Sequence, residues 1–538
     1  MNNKKVSPEI NPPRIIEINK EFKKALDLLE NTSKNLLITG RAGTGKSTLL
    51  DYFRKKTGKK VVVLAPTGVA AVNVKGETIH SFFRFKPNTT LQKIKKIKSQ
   101  KLSQIYQEID TIIIDEISMV RADLLDCVDT FLRLNGKDPD SPFGGIQMVF
   151  IGDLYQLPPV VLRKEKEIFN SFYKSFYFFA AKVFEHLDME FVELQKVYRQ
   201  KDKQFIKLLN AIRNNTISEK DLEIINQKVK PDIDLDNLDY YIYLTSTNKL
   251  AAKINHSQLE KINAELHVYH GVVEGKFDEK YLPTDPELKI KVGAQVMLLN
   301  NDEYGRWVNG TIGRVVEIIN MGETEEDIIM VELPEGNLEE VYPYKWELFH
   351  FQLNPKTKNL EAKVIGHFIQ YPLKLAWAIT IHKSQGKTFE RVIIDVSGGI
   401  FACGQIYVAL SRCRTLEGII LRKPIEKKHI FMDRAIVDFI TKYQYKISER
   451  DLPVEEKVKI INQAIAKNNP LRITYLKPND EKSDRIINPL RVGEMTYLDK
   501  PFLGVEAFCC DRKDTRVFRV DRILEISPLH PGGVNKKS

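Results

Sequence analysis

The segment GRAGTGKS sets Gly40, Gly45, Lys46 and Ser47 at the spacing G-x-x-x-x-G-K-[ST], after an apolar run at 36–39 and ahead of a helical pattern at 48–55. Glycine tolerates the backbone angles with which a chain wraps a phosphate, and a helix start adds a dipole that favours an anion. Backbone N–H groups from Gly43 to Lys46 would cradle a β-phosphate while the Lys46 ammonium neutralises the β and γ oxygens. Candidate nucleotide contacts are therefore Gly40, Ala42, Gly43, Thr44, Gly45, Lys46, Ser47 and Thr48. Asp115 and Glu116 follow a second apolar run at 111–114. Such an aspartate would share Mg2+ with the Ser47 hydroxyl, and the adjacent glutamate would activate the attacking water. A glycine-rich turn or an Asp-Glu helix cap would explain either segment alone. The two together point to hydrolysis of a nucleoside triphosphate.

These groups need strands to hold them. Short β-branched runs at 36–39, 61–64, 111–114 and 149–151 each lead through turn residues into a helical pattern. That is the signature of a parallel sheet covered by helices. Similar runs at 241–245, 295–299, 376–380, 392–395 and 418–421 predict a second α/β domain. Between 301 and 370, Gly-rich turns and short alternating strands without a long helix predict a small inserted β-barrel. Beyond Tyr443 a polar stretch runs to Pro453, then a helical pattern at 455–466 and strands at 471–475 and 517–520. The expected layout is a first lobe at 1–200, a second at 201–300 and 371–443, the insert at 301–370, a linker at 444–452, a C-terminal domain at 453–528 and a tail at 529–538.

Composition fits this plan. A chain of 538 residues, 43% hydrophobic and 28% charged, is expected to be globular and to divide into several domains. Its formal charge of +11 and pI near 9.0 attract polyanions, most commonly nucleic acid, and an anionic membrane face fits the charge equally well. No stretch approaches the roughly 20 apolar residues that span a bilayer. Cys127, Cys403, Cys413, Cys509 and Cys510 form no C-x-x-C pair and read as reduced thiols. A soluble cytoplasmic protein is expected.

P-loops serve kinases, GTPases and many ATPases, so further motifs must choose among them. GRAGTGKSTLL, APTGVAAVNVKGETIHSFF, IIIDEISMVRADLLD, FGGIQMVFIGDLYQLPPV, VYRQ, ITIHKSQGKTFERVIID and YVALSRCRT occur in that order. Over 15–421 the chain resembles the petite-integration-frequency (PIF) family of superfamily-one helicases. The resemblance implies two RecA-like P-loop domains that hydrolyse ATP, with Mg2+, in the cleft between them. It further implies 5′-to-3′ movement on single-stranded DNA and opening of tailed or forked duplexes in repair, replication or recombination. G-quadruplexes and RNA–DNA hybrids are further candidate substrates, and a monomer in the absence of DNA, acting at a bacterial nucleoid, is expected.

The resemblance also assigns roles. Gln156 in GDLYQLPP would contact the γ-phosphate and couple its loss to DNA movement, while Arg199 and Arg412 would reach across the cleft as arginine fingers. A guanidinium offered from the opposite lobe stabilises transition-state charge only when the cleft is shut, which ties hydrolysis to closure. Gln385 and Gly386 of HKSQG would touch both nucleotide and DNA. Where the family places an adenine-reading glutamine this chain holds Phe22, which leaves nucleotide choice open. Thr67, Gly68, Ala70, His80, Phe82 and Phe83 would line a DNA track in the first lobe, and Thr245, Asn248, His382 and Lys383 in the second. Phe82 and Phe83 would stack on bases or pack in a core. The lysines of 84–103 resemble a wedge at the duplex junction, with a solvated basic helix as the alternative. Asn309, Gly310, Thr311 and Gly313 in RWVNGTIGRV match the family's Src-homology-three-like insert, which folds over single-stranded DNA and where Trp307 would stack or fill the barrel.

Residues 473–475, Arg485, Pro489, residues 507–509 and the run 516–522 resemble a WYL domain, a small β-fold that binds nucleic acid or related ligands, although its naming tripeptide reads Leu503-Gly504-Val505 here. Arg485, Arg516, Arg519 and Arg522 are expected to form a phosphate-binding patch. Two other readings compete: a RecD-like motor subunit of a nuclease complex, and a ligand-responsive DNA-binding regulator in which the motor has become a regulatory ATPase.

Overall fold

The computed structural model describes residues 17–529 except 87–88, 162, 235, 237, 278–281, 323–325, 355–359 and 478–481. Beyond Leu529, the expected tail lies outside the described residues. The chain forms two compact units. One ends at Phe431; the other begins at Met432 and takes in Asn214–Thr216 as well.

The first lobe is built on β1 (Asn35–Gly40), β2 (Val61–Ala65), β3 (Glu77–Thr78), β4 (Thr111–Ile114), β5 (Gln147–Gly152) and β6 (Met189–Leu194). Their order is β3-β2-β4-β5-β1-β6, and every neighbouring pair runs parallel. The central strands are buried along almost their whole length, so they read as continuous apolar runs rather than as alternation. β1, β4, β5 and β6 deliver the phosphate loop, Asp115-Glu116, the Gln156 loop and Arg199 to one carboxyl edge, where open α/β sheets bind their ligands.

The helix Lys20–Asn31 begins at Asn19, whose side chain accepts the Phe22 N–H at 2.8 Å. It buries Phe22, Ala25 and Leu29, spaced on one face. Phe22 lies edge-on to Tyr52, with ring centroids 6.3 Å apart. At the supposed adenine-reading position the chain thus places a core aromatic with no group to hydrogen-bond a base.

The second lobe has β7 (Ile242–Thr245), an insertion, and then three further strands. The insertion consists of β8 (His267–His270), β9 (Val272–Gly275), β10 (Glu287–Ile290), β11 (Gln295–Leu298), β12 (Ile312–Ile319), β13 (Ile328–Glu332), β14 (Leu338–Val341), β15 (Tyr344–Leu353), β16 (Leu360–Gln370) and β17 (Leu373–Leu375). After it come β18 (Ala378–Thr380), β19 (Val392–Ile394) and β20 (Ile419–Leu421). β18-β7-β19-β20 form a parallel sheet.

The insertion therefore runs from about His267 to Leu375 rather than over 301–370. Gln295–Leu298, expected as a strand of the second α/β sheet, instead pairs antiparallel with β12 and β17. All four of its residues are buried, so its pattern could not be told from that of a parallel strand. β14-β13-β12-β11-β17 make one antiparallel sheet, with smaller sheets β15-β16-β9 and β10-β8 beside it. Trp307 is 5% exposed in this core and donates its indole N–H to Asn300 at 3.0 Å. It fills the insert rather than offering a face for stacking.

The C-terminal unit contains helices Arg434–Asp451 and Val454–Ala466 and strands β21 (Leu471–Leu476), β22 (Lys482–Tyr497), β23 (Lys500–Cys509), β24 (Asp514–Arg519) and β25 (Ile523–Pro528). The strands form an antiparallel sheet in the order β24-β23-β22-β21-β25. The expected linker at 444–452 is a correction: through Asp451 it continues a helix capped by Asp433. Ser448 on that helix donates to the Leu524 carbonyl of β25 at 2.9 Å, so this polar stretch is part of the domain.

Candidate nucleotide cleft and nucleic-acid track

Gly43 and Gly45 hold φ of +79° and +87°, the left-handed region in which glycine is strongly favoured. A Cβ on Gly43 would also lie 2.4 Å from the Cβ of Arg199. Gly45 caps the helix Lys46–Lys56 with no side chain of its own, which leaves the first-turn N–H groups for an anion. Ser47 and Thr48 are exposed on that turn, Thr44 is buried with its hydroxyl on the Arg41 carbonyl, and Ala42 is buried. The Lys46 ammonium donates to the carbonyls of Gly40 at 2.8 Å and Arg41 at 3.0 Å. Burial lowers its pKa against the pull of Asp153, Glu116 and Asp115. An arriving phosphate would give this ammonium a stronger partner than a carbonyl.

Asp115 is 9% exposed, and burial, then the neighbouring Glu116, push its carboxyl up to about 7. Burial likewise raises Glu116, opposed by Lys46, Arg412 and a hydrogen bond from Gln385. Glu116 sits at φ 50°, ψ 43°, a strained conformation for a residue with a Cβ. Two desolvated oxygen acids and an exposed serine hydroxyl are a donor set that suits Mg2+, which takes one or two protein oxygens and otherwise water and phosphate. Among the described residues no cluster of three His, Cys, Asp or Glu could enclose a metal by itself. Ser47 and Asp115 would hold the ion, whose chemistry there is to offset phosphate charge.

Gln385, from the loop after β18, donates to Glu116 at 3.0 Å and so joins the second lobe to the acid pair. Gly386 is exposed beside it. Arg412 is 1% exposed and donates to the carbonyls of Val408 at 3.0 Å, Lys387 at 3.3 Å and Ser384 at 3.4 Å, and to the Ser411 hydroxyl at 2.9 Å. All of these lie in its own lobe. Burial lowers its pKa, and Glu116 is among the groups that oppose this.

Arg199 requires a correction of direction. The Tyr198 N–H is bonded to the Gly43 carbonyl at 2.8 Å, so Arg199 is rooted beside the phosphate loop and not on the opposite lobe. From there its guanidinium reaches the second-lobe carbonyls of Ser411 at 3.3 Å and Gly386 at 3.5 Å, and burial with Arg412 nearby lowers its pKa to about 9.

Gln156 is 6% exposed and donates its amide to Asp153 at 3.1 Å. Asp153, Arg213 and Tyr407 form a buried polar cluster with it that the motif reading passed over. The one available signal was an aspartate directly after an apolar strand, three residues before Gln156.

The expected DNA contacts divide. Thr67 is exposed and caps the helix Gly68–Asn73 by accepting from Ala70 N–H at 3.3 Å; Gly68, Ala70 and His80 are partly buried. Phe82 and Phe83 are corrections: at 2% and 1% exposed, Phe82 packs edge to face on Phe83 and Tyr106 while Phe83 stacks on Tyr106 and lies edge to face on Phe131, and no base can reach them. Lys93 ends a single 3-10 turn, and the next helix starts only at Gln100, so a basic helix over the intervening lysines is also ruled out.

In the second lobe Asn248, His382 and Lys383 are exposed, but Thr245 is 1% exposed at the end of β7, where its carbonyl accepts the Ile381 N–H at 2.9 Å. Asn248 and Lys383 line a cavity of 380 Å3 shared with Asn255 and Lys374. Asn309 donates to the Leu299 carbonyl at 2.8 Å and accepts from the Lys387 ammonium at 2.6 Å. Gly310 (φ +103°) packs on that lysine, and the Thr311 hydroxyl accepts the Val308 N–H at 3.2 Å.

The sheet separates Arg516 from Arg519 within the expected C-terminal arginine patch. Arg516 pairs across the sheet with buried Ala507 and Arg485 with buried Ile473, whereas Arg519 pairs with Gly504 and lies over the Phe502 ring. Alternation along β24 turns Arg516 and Arg519, three residues apart, to opposite faces. Arg519 is moreover paired with Asp521 at 2.7 Å.

Comparison with known proteins places this architecture. Residues 17–223 match the family described as PIF1-like helicase, and residues 456–528 match the WYL domain. The ATP-dependent DNA helicase Pif1 of Bdellovibrio bacteriovorus is 31% identical over 444 residues, covering 80% of this chain and 94% of that protein. The Pif1 helicase of Campylobacter jejuni is 30% identical over 456 residues, covering 79% and 97%. The crystal structure of Bacteroides sp Pif1 in complex with ADP-AlF4 aligns with a TM-score of 0.73 at 39% identity, covering 80% of this chain and 98% of that one. Candida albicans Pif1 aligns with a TM-score of 0.60 at 30% identity, covering 80% and 100%. Fold and cleft define a two-lobed P-loop nucleotide hydrolase. Within that class the chain belongs to the PIF1-like helicase family, and it carries a WYL domain at its C-terminus.

Proposed function

We propose that this protein hydrolyses ATP, with Mg2+ held by Ser47 and Asp115, to move 5′ to 3′ along single-stranded DNA and to separate tailed or forked duplexes. Glu116 is the base toward water, Lys46 and Arg412 carry phosphate charge from the two sides, and Gln156 reads the γ-phosphate. The carrying observation is the 3.0 Å hydrogen bond from Gln385 to Glu116. It ties the acid that would activate water to the loop whose His382 and Lys383 stand exposed for nucleic acid. Occupancy of the cleft and grip on a strand are then mechanically linked.

A crystal structure of Bacteroides Pif1 bound to ssDNA, and a structural basis for DNA unwinding at forked dsDNA by two coordinating Pif1 helicases, support the same partners here. G-quadruplexes and RNA–DNA hybrids belong to the same proposal, as do a monomeric free protein and action at the bacterial nucleoid. Among the described residues no helix is long and apolar enough to cross a membrane. With Phe22 in the core, the proposal includes acceptance of nucleoside triphosphates other than ATP. A strand-separation assay on duplexes with 5′ or 3′ tails tests the reading: ATP-dependent opening of the 5′-tailed substrate is expected. Opening of the 3′-tailed substrate alone overturns the polarity, and no opening of either overturns the activity.

A further inference from the structure

Where the lobes meet, a buried polar junction sits beside the groups that would touch a nucleotide. Its hub is Asp153, 1% exposed, directly beyond β5. From its own lobe Asp153 accepts the Tyr155 N–H at 3.2 Å and the Gln156 side-chain amide at 3.1 Å. The second lobe supplies two more partners. Arg213, on a helix packed against Gln405–Ser411, brings its Nε to 3.6 Å from Oδ1 and lays its guanidinium over the Tyr155 ring at 3.9 Å. Tyr407 donates its hydroxyl proton to Oδ2 at 3.1 Å.

The same hydroxyl accepts the Ala42 N–H of the phosphate loop at 3.0 Å. A phenol has one proton to give and lone pairs to receive with, so this oxygen bridges both first-lobe loops at once. The helix that carries Tyr407 is also pressed onto the Gln156 loop: a Cβ on Gly404, at its N-terminus, would lie 2.2 Å from the Tyr155 carbonyl. A well-packed apolar junction would stabilise the protein as well as, or better than, buried ions, so stability alone does not account for these groups.

We propose that Tyr407 is a positioning residue whose hydroxyl holds the phosphate loop and the Gln156 loop in register with the second lobe. Asp153 is the resting post of Gln156. When the Gln156 amide turns to a γ-phosphate, Asp153 keeps Tyr407, Arg213 and the Tyr155 N–H, and the loop stays in place while one side chain moves. Loss of the hydroxyl leaves the Ala42 N–H and an Asp153 lone pair unmatched at this point, while the ring keeps its packing.

The inference rests on the ATP-hydrolysis reading, and wild-type protein assayed in parallel separates the two: an inactive wild type refutes that reading, whereas only variant behaviour bears on Tyr407. Full-length Tyr407→Phe, Gln156→Ala and the double variant are assayed for ATP turnover with and without oligo(dT), at a temperature where circular dichroism shows all equally folded. For Tyr407→Phe the KM for ATP should stay within about threefold of wild type, while kcat with DNA falls by about tenfold or more and DNA stimulation collapses. The double variant should turn over no more slowly than Gln156→Ala, because both changes act through one unit. Wild-type kcat in Tyr407→Phe, a raised KM with kcat intact, or losses that multiply in the double variant would each overturn the proposal.

Discussion

Arg412 in the cleft is 1% exposed and gives its donors to three carbonyls and a hydroxyl, whereas Arg519 in the C-terminal sheet is only half-buried and lies against Asp521, two residues away. One guanidinium is desolvated and hydrogen-bonded only to neutral groups in its own lobe, with the Glu116 charge acting on it; the other has an adjacent acid and solvent exposure. A buried charge held by carbonyls and a hydroxyl costs folding free energy, and it becomes favourable when an anion enters. The cleft stores readiness for a phosphate, while the sheet carries ordinary surface charge. Charge placement in the first region reports function; in the second it reports strand alternation.

Removing Arg412 tests the stronger half of that contrast. Arg412→Ala should lower kcat by on the order of 10³-fold while nucleotide and DNA still bind. An unchanged kcat would put Arg412 on the same footing as Arg519. Phe82 asks whether an aromatic in a track motif behaves as core: Phe82→Ala should cost about 3–5 kcal/mol in denaturant unfolding. A loss of DNA affinity with unfolding unchanged would instead restore it as a base platform.

The acid pair gives a pH-dependent test. Asp115 is raised from 3.8 to about 7, so the folded protein binds its proton more tightly than the unfolded chain. Its contribution to stability is full below 3.8 and is lost as pH rises through 7. Nucleotide-free Asp115→Asn should accordingly melt above wild type at about pH 8, with the gap closing toward pH 4; a gap independent of pH would contradict the shift. The smallest effect belongs to the sheet: Arg519→Ala should change stability by about 0.5 kcal/mol or less. A severe loss there would mean that the half-buried Arg519 is held as tightly by its surroundings as the buried Arg412.

The phosphate loop and Asp115-Glu116 were legible in sequence because each is a contiguous segment at the end of a parallel strand, where local spacing dictates geometry. Gln295–Leu298 was misassigned because a fully buried four-residue strand carries no sign of whether its neighbours run parallel. The helix through Asp451 hid behind a polar surface face, although Asp433 marks its start. Asp153, Arg213 and Tyr407 come from three distant segments, and only folding brings them together. Phe82 and Phe83 show the reverse failure, where a motif position suggests contact with DNA and packing decides otherwise.

The central claim, that hydrolysis occurs where Glu116 meets Lys46 and the second lobe, is tested most directly by DNA-stimulated ATP turnover of Glu116→Gln alongside equilibrium binding. Turnover should vanish while MgATP and single-stranded DNA still bind. Turnover at the wild-type rate would contradict the account.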